Sequence, residues 1–168
     1  MLIDTQRPGC AARPSVDVGA IMDNNRVIDL MDGLRETCID GARRLRTRAM
    51  QCESVELKSL FLATAIDGEQ AGEELREVIL DCGGALENKG AAMHGGWASG
   101  IATIADDDER LLEECELWQD AALTRYREAL EEPVPENIAT LLRRHYDGVK
   151  RSCDQISERR ERAGVRAS

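Results

Sequence analysis

Apolar residues recur at steps of three and four along four stretches of the chain, which is the pattern of amphipathic α-helices. The first stretch begins at Asn24 and extends to about Gln51. A short break at residues 53–54 separates it from the second stretch, which ends at the pair Gly83-Gly84. Glycine commonly ends a helix because it adopts the left-handed conformation without strain. The pattern therefore predicts two helices joined by a short loop in the first half of the chain.

Two further helices are predicted in the second half. The acidic run at 106–109 places carboxylates at the positive end of a helix dipole, and the helix that it begins should extend to Glu132. Pro133 stops that helix, and Pro135 suits the first turn of the next one. At 1.5 Å per residue, each of the four helices would be about 35–45 Å long.

The connections between these helices predict the fold class. Short loops make helices 1 and 2, and likewise helices 3 and 4, antiparallel hairpins. The connection between helices 2 and 3 is long enough to cross the bundle, and its glycine-rich segment 85–105 keeps one apolar stripe that predicts a short helix. We therefore expect an all-α, ferritin-like antiparallel four-helix bundle with a long crossover between helices 2 and 3. The predicted domain covers 24–162, between a flexible N-terminal arm at 1–23 and a disordered tail at 163–168.

Composition and charge narrow the classes of partner. Aromatic residues make up only 3% of the chain, so the core must be built from aliphatic side chains. A net charge of −10 argues against nucleic-acid binding, because attraction to phosphate is the main sequence-independent source of that affinity. No run approaches the ~18 apolar residues of a membrane span, and the N-terminus has no signal-peptide pattern, so a cytoplasmic location is expected. There the six cysteines should be reduced, and no C-x-x-C pair indicates a zinc or thioredoxin-type site.

The segment 111–123, LLEECELWQDAAL, decides whether a metal centre is expected, because it places several carboxylates on one helix. Glu113 lies nearly opposite the apolar face and Glu116 lies at its boundary, whereas the polar residue nearest the centre of the face is Gln119, an amide. The interior of the bundle is therefore expected to be neutral. In helix 1 the inward positions are neutral too and the acids point outward: Gly41 and Ala42 inward, Glu36 and Asp40 outward.

The two histidines support the same conclusion. In the ferritin-like di-metal pattern two helices each supply a Glu, and the other two each supply Glu-x-x-His. Here Ala91 stands three residues before His94, and Leu142 stands three residues before His145. A carboxylate-bridged di-iron centre of that type is therefore not predicted.

Three segments resemble a known family: TCIDGARRL in helix 1, HGGWASG in the crossover and EECELWQDAALTRYREALEE in helix 3. They are similar to a bacterial group of ferritin-like four-helix-bundle proteins of unknown function, distantly akin to rubrerythrins, and the resemblance covers about residues 24–160. It implies the fold and a cytosolic, stress-related setting, and it implies no proven reaction. Relatives generally carry Glu where Gln119 stands and often Glu near Ala42, so the resemblance implies a bundle that has lost interior acids.

His145 lies near the centre of the apolar face of helix 4, and a buried imidazole needs a hydrogen-bond partner. We interpret it as a core histidine that faces Gln119 or Tyr126. One alternative is a bundle that binds iron or manganese with a reduced ligand set drawn from Asp67, Glu116, Gln119 and His145. A second alternative is Cu(I) binding by the cysteines near the apolar faces, although copper-storage bundles use more cysteines at C-x-x-x-C spacing, which this chain lacks.

The sequence thus predicts a structural or interaction module rather than an enzyme. No catalytic residue and no cofactor are predicted, because the sequence shows no nucleophile–base constellation and no phosphate-binding glycine loop. We expect a homodimer, with neither nucleic acid nor membrane as a partner.

Overall fold

The computed structural model describes residues 22–85 and 108–166, with side chains as far as Arg162. Within these ranges the chain forms four helices and no strand: α1 (Asn24–Ala49), α2 (Val55–Asp81), α3 (Asp108–Glu131) and α4 (Glu136–Arg166). The all-helical prediction is confirmed, and the observed helix ends lie within a few residues of the predicted ones. None of these four helices combines the length and the apolar character that crossing a membrane needs.

Local side-chain and backbone bonds set the ends of the first hairpin. The Asp23 carboxylate accepts hydrogen bonds from two amides in the first turn of α1, at 3.0 and 3.1 Å. The Ser54 hydroxyl accepts one from the first turn of α2 at 3.2 Å. After α2, Gly83 has a φ of +84°, the left-handed conformation that the glycine pair predicts. The caps satisfy amides that have no partner within the helix.

Hydrogen bonds at the two ends of the bundle fix the directions of the helices. At one end the Asn24 side-chain amide donates to the Cys82 carbonyl at 3.4 Å, so the start of α1 meets the end of α2. At the other end the Asp108 carboxylate, in the first turn of α3, accepts from the two backbone amides at 53 and 54 in the α1–α2 loop, both at 3.0 Å. α1 is therefore antiparallel to α2 and α3, while α2 and α3 run in the same direction. The crossover predicted over 85–105 lies, apart from residue 85, outside the described residues.

Buried apolar side chains form two clusters separated along the bundle axis. The upper cluster, at the end where α1 begins, comprises Met22, Val27, Met31, Leu34, Cys38, Leu75, Ile79, Tyr126, Ala129, Ile138 and Leu142. The lower cluster, towards the α1–α2 loop, comprises Ala42, Leu45, Ala49, Leu57, Phe61, Ala65, Leu111, Leu112, Cys115 and Ile156. As the composition predicts, the core is mainly aliphatic, with Phe61 and Tyr126 as its only aromatic members within the described residues.

α1 and α2 approach each other closely where α2 carries two glycines four residues apart. A Cβ on Gly68 would lie 3.4 Å from the Cys38 carbonyl oxygen, and a Cβ on Gly72 would lie 2.8 Å from Cδ1 of Ile39. The absence of side chains at these two positions lets the helices meet at the level of Cys38.

Candidate functional site

A cavity of about 430 Å³ lies between the upper and lower clusters and is walled by all four helices. Its volume falls in the range of roughly 300–1,000 Å³ that is usual for small-molecule sites. Exposed residues such as Asp40 and Asp67 line part of it, so the cavity opens to solvent. The wall residues that carry its chemistry are Cys38 and Gly41 of α1, Glu74 of α2, Gln119 and Tyr126 of α3, and His145 and Gly148 of α4.

Four of these side chains, one from each helix, form a chain of hydrogen bonds across the bundle. Oε2 of Glu74 lies 2.6 Å from Nε2 of His145. The other imidazole nitrogen, Nδ1, lies 3.3 Å from the hydroxyl oxygen of Tyr126. That hydroxyl lies 3.1 Å from Sγ of Cys38. A carboxylate, an imidazole, a phenol and a thiol are therefore connected in that order, and we call these four residues the relay.

The chemistry of the end group assigns the direction of each bond in the relay. An ionised Glu74 can only accept, so Nε2 of His145 carries the proton and donates it. In the neutral imidazole Nδ1 is then an acceptor, which receives the hydroxyl proton of Tyr126. The oxygen of Tyr126 in turn accepts the weak donor S–H of Cys38. Every donor along the relay thus points towards the carboxylate.

The pKa values of the relay groups agree with this assignment. Burial lowers the pKa of His145, and the hydrogen bond and charge of Glu74 offset the effect only in part, so the imidazole is neutral at pH 7. Partial burial raises the pKa of Glu74, but the hydrogen bond from His145 and the charge of Arg144 outweigh it and leave the pKa below its usual value. Burial raises the pKa of Tyr126 and of Cys38, so both keep their protons.

Gln119 is the one buried amide in the cavity wall among the described residues. Its side chain is only 9% exposed, and its Nε2 has no hydrogen-bond partner in the described part of the chain. A buried donor without a partner costs about 1–3 kcal/mol, because it has lost its hydration and gained nothing in return. A molecule that brings an acceptor oxygen to Gln119 would recover that free energy.

Charged side chains surround the mouth of the cavity. Arg125 donates to the Thr37 hydroxyl at 2.9 Å, and Arg144 donates to Glu74 at 2.6 Å. The guanidinium of Arg44 lies over the ring of Trp118, 5.3 Å from its centroid. All six residues line the cavity, so its opening is polar while much of its wall is apolar.

The structure places three of the four predicted site residues at the cavity. Asp67, Gln119 and His145 line it, whereas Glu116 does not and instead accepts hydrogen bonds from side chains of α4, Ser157 and Arg160. Of the two partners predicted for His145, which is only 7% exposed, the structure shows Tyr126 and not Gln119.

Of the two acids that the sequence predicts on the outside of α1, Asp40 is exposed, whereas Glu36 is half-buried; both line the cavity, because the cavity reaches the surface along α1. Nothing in the sequence predicted the relay, which connects the thiol of Cys38 to the imidazole of His145 through one hydroxyl.

Sequence reasoning missed Glu74, the residue that orients His145. The available signal was its position two helical turns after Asp67, on the same side of α2. The helical position that placed Asp67 at the edge of the apolar face of α2 would have placed Glu74 there as well.

The donor groups in the described part of the chain do not fit the di-metal centre of a ferritin-like enzyme. Within residues 22–85 and 108–162, no three side chains among histidine, cysteine, aspartate and glutamate converge on a point where a metal ion could sit. Both ring nitrogens of His145 are engaged by Glu74 and Tyr126, and the amide at Gln119 supplies no negative charge.

Three of the cysteines in the described ranges have hydrogen-bond partners of their own, and Cys52 lies near enough to Cys115 to contribute, after burial, to the raised pKa of that thiol. Cys38 bonds to Tyr126, Cys153 donates to Asp120 at 3.5 Å, and Cys52 donates to the carbonyl of residue 48 at 3.4 Å. Burial raises the pKa of Cys52 and of Cys153 to about 11, so these thiols are protonated at neutral pH.

Comparison with known proteins gives a family and no reaction. The family model described as a domain of unknown function (DUF2383) matches residues 26–132, from the first turn of α1 to the end of α3. No curated protein matches the chain. The matched range includes Cys38, Glu74, Gln119 and Tyr126, and it stops before α4, which supplies His145. Because the match covers more than half of the 168 residues, this chain belongs to the family of that domain of unknown function.

Proposed function

We propose that this protein is a binding module, a ferritin-like bundle without a di-iron centre that takes a small organic molecule into its central cavity. The observation that carries the proposal is the unpartnered Nε2 of Gln119, nine-tenths buried in the wall of a 430 Å³ space. Close packing is the rule in protein interiors, and a dry, well-packed bundle would have neither the space nor the amide.

The cavity wall indicates the class of ligand. The wall between the relay and the lower cluster is largely apolar, which suits a hydrocarbon or aromatic body. Gln119 offers a donor, so the ligand should carry an acceptor such as a carbonyl, carboxylate or sulfonate oxygen. A ligand of this kind would satisfy the amide and fill the space in one step.

The ferritin-like assignment is supported by the helix directions. α2 and α3 run in the same direction although they follow each other in the chain, which is the arrangement that a bundle with one long crossover has. The absence of a converging donor set in the described residues supports a binding role rather than an oxidoreductase role. The homodimer and the stress-related setting stay predictions, and light scattering of the purified protein checks the first of them.

Two glycines in the cavity wall make a direct test possible. A Cβ on Gly41 would have no atom within 4 Å, and a Cβ on Gly148 would meet only a guanidinium nitrogen of Arg151 at 3.8 Å. The Cβ of Gly41→Leu or of Gly148→Leu therefore meets no clash, the rest of each leucine side chain has the cavity to occupy, and leucine favours helix more than glycine does. Gly33→Leu is the matched control, because Gly33 also has open space around it in α1 but does not line the cavity.

The probe is 1-anilinonaphthalene-8-sulfonate, which has an apolar body and sulfonate oxygens and fluoresces when it leaves water. We expect saturable binding to the native protein and to Gly33→Leu, and loss of binding in Gly41→Leu and Gly148→Leu. Gln119→Leu keeps the cavity but removes the donor, and binding should weaken about tenfold, which corresponds to ~1.4 kcal/mol. Equal fluorescence in all variants would place the probe on the surface and contradict the proposal.

A further inference from the structure

We propose that Cys38 is a reacting thiol, which captures small α,β-unsaturated carbonyl compounds in the cavity while its proton passes through Tyr126 to His145. The proposal rests on the proposed function in one respect, namely that small molecules enter the cavity. It adds a covalent reaction, a nucleophile and a substrate class.

The geometry points to Cys38 because it is the cavity-lining thiol that belongs to the relay. Only one hydroxyl separates it from Nδ1 of His145, with gaps of 3.1 and 3.3 Å. Glu74 holds the opposite ring nitrogen at 2.6 Å and so keeps the lone pair of Nδ1 turned towards Tyr126. A thiol, a proton carrier, a base and a group that orients the base are thus arranged in sequence, as in nucleophile–base systems.

The reaction is an addition in which all atoms balance. Sγ of Cys38 attacks the β-carbon of the substrate, an S–C bond forms, and the π electrons of the C=C bond move towards the carbonyl oxygen. The thiol proton passes to the oxygen of Tyr126 as the hydroxyl proton of Tyr126 passes to Nδ1 of His145. The imidazolium formed beside the carboxylate of Glu74 then returns a proton to the α-carbon through the same hydroxyl. No oxidant, reductant or leaving group is required.

A buried thiol needs such assistance. Burial raises the pKa of Cys38, so the free thiolate is scarce at neutral pH. If proton transfer accompanies attack, the thiolate never has to form in the apolar wall, and assistance by a positioned base contributes on the order of 10²–10⁴-fold. Gln119 provides a donor in the same cavity for the carbonyl oxygen, on which negative charge develops during addition.

Cys115 provides an internal reference. It is fully buried and also lines the cavity, and burial raises its pKa as well. It has no hydrogen bond to a tyrosine or histidine within the described residues. Cys115 is therefore a cavity-wall thiol without the relay, and because it is fully buried the contribution of the relay is judged from the variants rather than from the difference between the two thiols.

The experiment treats native full-length protein with acrylamide at pH 7 and follows the labelling of each cysteine by peptide mass spectrometry. We expect Cys38 to react at least about tenfold faster than Cys115. Tyr126→Phe should reduce the rate at Cys38 about tenfold or more and leave the rate at Cys115 unchanged. In urea both cysteines should react at equal rates in native sequence and variant alike, which shows that the difference belongs to the fold.

Glu74→Gln is the second variant, because the Glu74 side chain is 26% exposed and tolerates substitution without a buried cavity. It should slow Cys38 relative to Cys115 in a protein that melts cooperatively. If Tyr126→Phe or Glu74→Gln leaves the ratio of the two rates unchanged, or raises it, the relay does not assist the thiol and the inference is wrong.

Failure of the inference is distinguishable from failure of the proposed function. If Cys38 and Cys115 react equally, but Gly41→Leu slows both, then the cavity admits molecules and only the relay is refuted. If Tyr126→Phe slows the labelling of Cys38, but Gly41→Leu changes the rate at neither cysteine, then the relay stands and entry through the cavity is refuted.

Discussion

Gly72→Ala and Gly41→Ala are the same chemical change in two adjacent helices, and the structure predicts opposite effects on stability. In a helix interior alanine is more favourable than glycine by about 1 kcal/mol, because glycine loses more conformational freedom on folding. At Gly41 nothing lies within 4 Å of the added Cβ, so this gain should be realised in full. At Gly72 the added Cβ would lie 2.8 Å from Cδ1 of Ile39 and 3.2 Å from its Cγ1, which is too close without movement.

The size of the Gly72 effect follows from these distances. Relieving contacts of this kind requires a shift of α1 or an unfavourable rotamer of Ile39, and extra atoms in a packed interface cost typically ~1–3 kcal/mol. After the helix-propensity gain is subtracted, we expect Gly72→Ala to be destabilising by about 1 kcal/mol and Gly41→Ala to be stabilising by a similar amount. For a domain of this size that separates the two melting temperatures by roughly 4–8 °C.

Circular dichroism at 222 nm during thermal and urea unfolding measures both variants. Ile39→Val provides the rescue, because it deletes the one methyl group that lies at 2.8 Å and leaves the contact at 3.2 Å. The double variant Gly72→Ala/Ile39→Val should recover most of the stability lost in Gly72→Ala. Equal stabilisation by the two alanines would show that α1 and α2 are not held together as described, and the explanation for Gly72 would fail.

The remaining predictions concern charge and metal. Because burial lowers the folded-state pKa of His145 below its usual 6.5, the unfolded chain binds the proton more readily, and the free energy of unfolding should fall as pH drops through 6.5 towards the folded pKa. In Glu74→Gln the pKa of His145, measured by NMR, should fall further, because the carboxylate that raises it is gone. A pKa of His145 higher than in the native protein would contradict the relay. Asp108→Ala removes the acceptor of two loop amides and should lower the free energy of unfolding by about 1–3 kcal/mol, with Asp108→Asn intermediate in the same melts. Elemental analysis of protein from metal-supplemented cells should find iron and manganese far below one equivalent per chain; a stoichiometric metal lost in His145→Ala would instead support the metal-binding alternative.

The helices and their inward faces could be predicted because each face repeats over many turns. Gln119 and His145 were found at the centres of apolar faces in this way, and both are buried. A helical wheel gives the angle of each residue about the axis of its own helix. That angle alone decides burial when a helix packs on one side.

The site itself could not be predicted, because its members come from four different helices. On a wheel Glu74 resembles any acid at the edge of a face, and only the position of α4 places it 2.6 Å from His145. Gly41 likewise resembles an ordinary small core residue, and only the structure shows that the space beside it is open. Distances between helices depend on packing across the whole bundle, which the repeat within one helix does not contain.

Open space and a buried amide donor without a partner in the described residues lie together at the centre of this bundle, and they are the physical argument for a ligand. A leucine in place of Gln119 would remove a buried donor that costs about 1–3 kcal/mol, and larger residues at Gly41 and Gly148 would each add about 1 kcal/mol of helix propensity while filling space. A molecule bound only by the folded state restores such a deficit in proportion to its concentration. Ligand should therefore raise the melting temperature of the native protein, whereas the filled variants should melt higher without ligand and gain nothing from it. If the protein is a scaffold with no ligand, the filled variants should still melt higher than the native protein, but no ligand should raise the melting temperature of the native protein.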